Sequence, residues 1–185
     1  MKKFLSFIWE ITKIVVIALV IVVPIRYFLF QPFFVRGQSM EPNFENGDYL
    51  IIDELSYRFR APERGEVVVF KYPQNLSQRY IKRIIGLPGE TIEIKDGQVI
   101  IYREDSKAEV LDESSYLPSY IQTIGDLQVS LNENEYFVLG DNRSVSSDSR
   151  RWGSLPREDI IGRVYFRAWP LITWAKIELP SYSEL

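Results

Sequence analysis

The longest hydrophobic run comes first. Residues 14–25 read "IVVIALVIVVPI" without a charged side chain, and apolar character resumes beyond Arg26 as "YFLFQPFFV". A helix that crosses a bilayer needs about 20 mostly apolar residues. Residues 11–30 supply that length if Lys13 and Arg26 extend toward opposite interfaces, so the pattern predicts one N-terminal spanning helix. A cleavable leader would end at a site of small residues, whereas bulky Phe30, Phe33 and Phe34 stand there, so the helix is expected to stay as an anchor. Lys2, Lys3 and Lys13 outnumber Glu10. That excess of positive charge puts residues 1–10 in the cytoplasm and residues 31–185 on the far side.

Past the anchor the period changes. Short β-branched or aromatic runs, "DYLIID", "GEVVVFKYP", "YIKRIIG", "ETIEIKDGQVIIY", "EYFVLGDN" and "GRVYFRAW", are separated by turn residues. In the fourth, "TIEIK" and "QVIIY" flank Asp96-Gly97, a strong hairpin signal because both turn residues tolerate positive φ. No helical period persists beyond the anchor, and the strand spacing is too irregular for a repeat fold. The pattern predicts a mostly β body. Residues 104–134 are more polar and acidic than their flanks and read as a small inserted cap, not as a separate domain. The C-terminal run "AWPLITWAKIELPSYSEL" is too short to span a bilayer. Its Trp169 and Trp174 belong either to the core or to a membrane surface.

Composition narrows the chemistry. The chain has 185 residues, 46% of them hydrophobic and 25% charged, values of an ordinary globular domain. A net charge of −3 gives no footprint for nucleic acid. Cysteine is absent, which removes disulfides, thiolate nucleophiles and Cys-ligated metals. Histidine is absent too, so a general base must be Lys, Asp, Glu, Tyr or water. No set of metal-ligating residues stands out, and neither metal nor cofactor is expected.

A serine hydroxyl becomes a nucleophile only when a neighbour takes its proton. Without His, the best neighbour is a Lys kept neutral by burial. Lys82, in "RYIKRIIGLPGE", is flanked by Ile81, Ile84 and Ile85 on a predicted strand. Lowering a Lys from about 10.4 to about 8 takes roughly 3 kcal/mol, which desolvation can supply. Arg83 would face the opposite way, leaving one basic residue for chemistry and one for structure. Composition and spacing alone leave other Ser and Lys pairings open.

Four stretches in order, "GQSMEP", "RGEVVVFKYP", "YIKRIIGLPGE" and "GDNRSVSSDSRRWG", closely resemble the motifs of bacterial type I signal peptidases (leader peptidases). The similarity runs from about residue 33 to residue 166, excluding the insertion. It implies a β-rich peptidase core behind a single anchor, in a bacterial cell membrane with the N-terminus cytoplasmic. The implied partners are preprotein signal peptides and the lipid bilayer. The implied reaction is hydrolysis after small residues of the Ala-X-Ala type, with Ser39 as nucleophile and Lys82 as general base. Ser146 matches a serine that hydrogen-bonds the Lys amine, Asp148 and Arg150 match a structural pair, and Asp141, Asn142 and Arg143 complete the motif turn. By family position, Val35, Met40, Tyr80 and Ile81 line the first substrate pocket, and Phe33, Leu50 and Val68 lie near the other.

Two departures stand out. Gly37 replaces the hydroxyl residue that some members place two before the nucleophile, so a second oxyanion donor is not identified. Ser144 and Val145 replace a more polar pair. Two other readings compete: a Ser-Lys self-cleaving repressor-like peptidase, which would need a different N-terminal part, and a catalytically silent, membrane-anchored β-rich binding module.

Overall fold

The computed structural model describes residues 2–28, 30–103, 108–180 and 182; the side chains of residues 2, 3, 5 and 21–30 lie outside that description. The apolar N-terminal run forms one helix, α1 (Lys2–Phe28). Its side chains at position 4 and positions 6–20 are all exposed. Among the described residues, no helix is long and apolar enough to cross a membrane. The expected span of residues 11–30 runs partly through residues outside the described set, and the structure does not establish it.

The body is β, as the short apolar runs predict. β1 (Phe30–Phe34), β2 (Tyr49–Asp53), β3 (Val67–Tyr72), β4 (Asn75–Gly86), β5 (Thr91–Lys95) and β6 (Gln98–Tyr102) come first. β7 (Glu109–Val110), β8 (Leu127–Ser130) and β9 (Glu135–Leu139) follow, then the one-turn helix α2 (Ser149–Trp152), which the hydrophobic pattern did not predict. β10 (Leu155–Pro156), β11 (Ile160–Trp169) and β12 (Ala175–Lys176) complete the order. The larger sheet runs β1-β2-β11-β3-β4-β9-β10 with β12 added to β11; the smaller runs β7-β6-β5-β8.

Strand β3 shows why the larger sheet is buried on both faces. Val67 and Val69 pack with Val35, Met40, Leu50 and Ile52, while Val68 and Phe70 pack with Tyr57, Ile84 and Val138. An uninterrupted apolar run therefore serves two cores, because successive side chains point to opposite faces. Each such side chain contributes about 1.5–3 kcal/mol on burial. The β5–β6 hairpin turns at Asp96 (φ 50°) and Gly97 (φ 79°), the two positive values that a type I′ turn needs.

Residues 108–134 are more integrated than a cap. β8 pairs with β5 and β7 with β6, so this segment completes the smaller sheet. Residues 104–107, also assigned to the insertion, lie outside the described set. Leu111, Tyr116 and Leu117 are buried against Ile92, Ile101 and Phe137. Trp169 and Trp174 are 56% and 63% exposed, which excludes them from the core.

Candidate active site

Ser39 sits on a loop that the fold closes tightly. Between β1 and β2, the Val35 N–H donates to Asp48 O at 2.9 Å and the Gly47 N–H to Val35 O at 3.0 Å, joining the two ends. Met40 and Phe44 anchor the loop in the core at 0% and 2% exposure. Arg167 holds it from β11, with Nε 3.1 Å from Asp48 Oδ2 and Nη2 donating to Asn43 O. A nucleophile on a loop gains positional accuracy when the loop is pinned this way.

Lys82 reaches Ser39 from the middle of β4. Its Nζ lies 2.7 Å from Ser39 Oγ and 2.7 Å from Ile81 O. The residue is 3% exposed. Burial pushes the amine down to about 8, against the opposing pull of the Asp148 and Asp141 carboxylates. At that value a useful fraction is neutral near pH 7, and a neutral amine can accept the hydroxyl proton.

Arg83, one step along β4, is buried on the other face and does structural work. Its Nε and Nη2 donate to Asp141 Oδ1 and Oδ2 at 2.9 and 2.7 Å, and its Nη1 donates to Gly65 O at 2.8 Å. Burial alone would disfavour the Arg83 charge, but Asp141 outweighs it and raises the pKa. Asn43 Nδ2 donates to the same Asp141 Oδ2 at 2.8 Å.

The loop after β9 supplies the remaining motif residues. The Asn142 N–H donates to Ser39 O at 3.1 Å, linking the two loops through backbone. Asp148 accepts from Arg150 Nε and Nη2, each at 2.8 Å, and from the Gly140 N–H at 3.1 Å. Burial works against ionisation of Asp148, yet Arg150 and these donors hold its carboxyl below the usual range. Arg143 donates through Nε to Gly140 O at 3.1 Å.

The expected hydrogen bond between Ser146 and Lys82 is not formed. Among the described residues, Ser146 Oγ is buried without a partner of hydrogen-bonding geometry, although it lies near enough to Asp148 to help keep that carboxyl ionised. The physical reason is its direction, because the side chain is turned onto Gly140, where an added Cβ would collide with it and with Ser39 O.

An open cleft of about 770 Å³ lies over Ser39 and Lys82. Of the expected pocket residues, Phe33, Tyr80 and Ile81 line it. Val35, Met40, Leu50 and Val68 do not line it, being at most 2% exposed. Val35, Met40 and Leu50 sit in the cluster on which Ile81 and Phe33 pack, and Val68 in the one that receives Tyr80, so all four form backing, not wall. Arg36, Gln38, Arg79, Val145 and Ser147 also border the cleft, and sequence reasoning missed them. Gly37 (φ 91°) directs its N–H to Asn46 Oδ1 at 2.9 Å, which leaves the second oxyanion donor unassigned.

Comparison with known proteins places the chain in a family. The family model described as signal peptidase, peptidase S26, matches residues 8–169. A probable signal peptidase I-1 from Synechocystis sp. is 35% identical over 93% of this chain and 88% of its own. Signal peptidase IB from Staphylococcus aureus is 32% identical over 84% of this chain and 86% of its own. A solved signal peptidase I from Enterococcus faecalis V583 is 31% identical, covering 57% of this chain and 97% of that one at a TM-score of 0.47. The family model and the named relatives make the protein a serine endopeptidase, a hydrolase of peptide bonds. More narrowly, the chain belongs to the signal peptidase family, peptidase S26, and its relatives support signal peptidase I function.

Proposed function

We propose that the protein removes N-terminal signal peptides from exported preproteins, with Ser39 as nucleophile and Lys82 as general base. The observation that carries this reading is the 2.7 Å approach of Lys82 Nζ to Ser39 Oγ, made by an amine that burial lowers to about 8. Neutral Nζ takes the Ser39 proton as Oγ attacks the scissile carbonyl carbon. The resulting ammonium then protonates the departing amine, leaving an ester on Ser39. Nζ, neutral again, removes a proton from water; the water oxygen attacks the ester, and Ser39 regains its proton as the cleaved signal peptide leaves. The Ser39 backbone N–H is the first donor to the transient oxyanion. Asp148, Arg150, Asp141, Asn142, Arg143 and Ser146 hold the loop against which the pair is set.

The wall of the cleft supports cleavage after small residues. Phe33, Tyr80 and Ile81 offer apolar surface, and the close-packed layer behind them cannot retreat to admit a larger side chain. A cleft of about 770 Å³ has room for an extended peptide segment. Residues 11–30 form the anchor in a bacterial cell membrane, residues 1–10 stay cytoplasmic, and residues 31–185 act on the far side. Support comes from the exposed apolar face of α1, including Ile11, Ile14, Val16, Ile17 and Val20, which water solvates poorly. At about 1.5 Å per residue, a helix of this length is about 40 Å long. Exposed Phe34, Trp169, Leu171, Ile172 and Trp174 add an apolar rim suited to the interface.

The test uses the full chain in detergent and a preprotein with an Ala-X-Ala site. Ser39→Ala and Lys82→Ala should each lower kcat by about 10³-fold or more; complete cleavage by both variants would sink the reading. Replacing the Ala before the cut with Phe should block cleavage. Extraction of membranes at alkaline pH should leave the protein with the lipid.

A further inference from the structure

One buried ion pair joins the variable segment to the motif loop. Residues 111–117 leave the smaller sheet, and Leu111, Tyr116 and Leu117 fix them in the core. Glu113 is thereby presented rigidly to Arg143, whose Nη1 and Nη2 donate to its two carboxylate oxygens at 2.8 and 2.5 Å. Arg143 Nη1 also meets Thr123 Oγ1, and Tyr116 OH donates to Glu113 Oε1 at 2.6 Å. The Arg143 side chain is 2% exposed and that of Glu113 14%. A planar guanidinium gripped on both arms has little freedom.

What Arg143 grips in turn is close to the chemistry. Its Nε holds Gly140 O, the Asn142 N–H holds Ser39 O, and Asp141 holds Arg83, the neighbour of Lys82. Two further ties run from the same segment: Asn43 Nδ2 donates to Tyr116 O at 2.8 Å, and Arg150 Nη1 donates to Ile124 O at 3.1 Å. We propose that Glu113 is a positioning residue for the cleavage reaction, acting through Arg143 to hold residues 140–143 against Ser39 and the Lys82 strand. The segment that looked like a variable cap is on this account part of the catalytic scaffold. The inference rests on the Ser39–Lys82 reading above.

Positioning and simple stabilisation separate in the kinetics. Glu113→Ala in the full chain should lower kcat at least about tenfold, since small misplacements of reacting groups are costly. KM should stay within about twofold because Glu113 does not border the cleft. Glu113→Gln, which keeps one acceptor oxygen toward Arg143, should recover an intermediate kcat. Thermal unfolding run in parallel should show both variants folded at the assay temperature; if Glu113→Ala is not, Glu113→Gln decides by the same criterion. A kcat within twofold of native, or a loss that appears equally in KM, overturns the inference. Ser39→Ala serves as the control: its inactivity beside a fully active Glu113 variant refutes only the positioning role, whereas an active Ser39→Ala refutes the underlying mechanism.

Discussion

Lys82→Met should make the protein inactive and, near neutral pH, more stable. Met replaces the amine with an apolar chain of similar length, which removes a costly buried charge. Burial lowers Lys82 from its ordinary 10.5 to about 8, and each tenfold change is about 1.4 kcal/mol, so protonated Lys82 costs folding about 3 kcal/mol below pH 8. Between the folded and unfolded values, the unfolded chain binds the proton that the folded chain has released. Stability from this group therefore rises with pH from about 8 to 10.5 and is level outside that window. The variant also loses the Nζ contacts to Ser39 Oγ and Ile81 O, worth about 1 kcal/mol each. The net gain is about 1 kcal/mol at pH 7, shrinking and then reversing toward pH 11. Urea unfolding of the full chain in detergent, followed by tryptophan fluorescence at several pH values, measures the difference. A difference between variant and native that stays constant from pH 7 to 11 would refute an amine held near 8.

The pH dependence of kcat/KM provides a second check: the rate should rise about tenfold per pH unit and level off near the Lys82 value of about 8, and a profile flat from pH 6 to 10 would remove Lys82 as base. Asp148→Asn removes a carboxylate that raises the Lys82 pKa, so the acid limb should move to lower pH. Arg83→Ala leaves Asp141 buried without its cation and should destabilise by about 3–5 kcal/mol, read as a lower urea midpoint. Gly140→Ala pushes a methyl group into Ser146 and Ser39 O; activity should fall together with the melting temperature, and an unchanged kcat would show that the two loops can separate freely.

Features fixed by neighbours in the chain were legible. Asp96-Gly97 gave its hairpin because the turn needs only those two residues, and "VVVF" gave a strand because its length and branching suit nothing else so well. The facing of apolar residues was not legible. Val35, Met40, Leu50 and Val68 have the same character as Ile81, and only the path of the sheet decides which of them borders the cleft and which lies behind it. The absence of His pointed to a Ser-Lys pair, and only the motif resemblance singled out Ser39 and Lys82 among the possible pairs; their approach depends on a closed loop and a long strand meeting in space. Glu113 carried no signal: its value comes from Arg143, 30 residues away, and acidic residues in a polar segment ordinarily face water. Ser146 is buried but does not make its expected bond to Lys82, because side-chain rotation is decided by local packing at Gly140.

Strand β4 acts as a reading frame. Lys82 and Arg83 are consecutive, so a single pleat assigns one to Ser39 and the other to Asp141. A one-residue deletion between Arg79 and this point, past the irregular start of the strand, would carry Arg83 into the place of Lys82 and turn Lys82 to the opposite face. The guanidinium would then face the hydroxyl, and it does not release its proton in proteins, while the amine would be turned away from Ser39. Both cations would still be present and both buried, yet the chemistry would be gone. Length between Arg79 and Lys82 is thus as heritable a requirement as composition, whereas the irregular start of the strand can absorb a change.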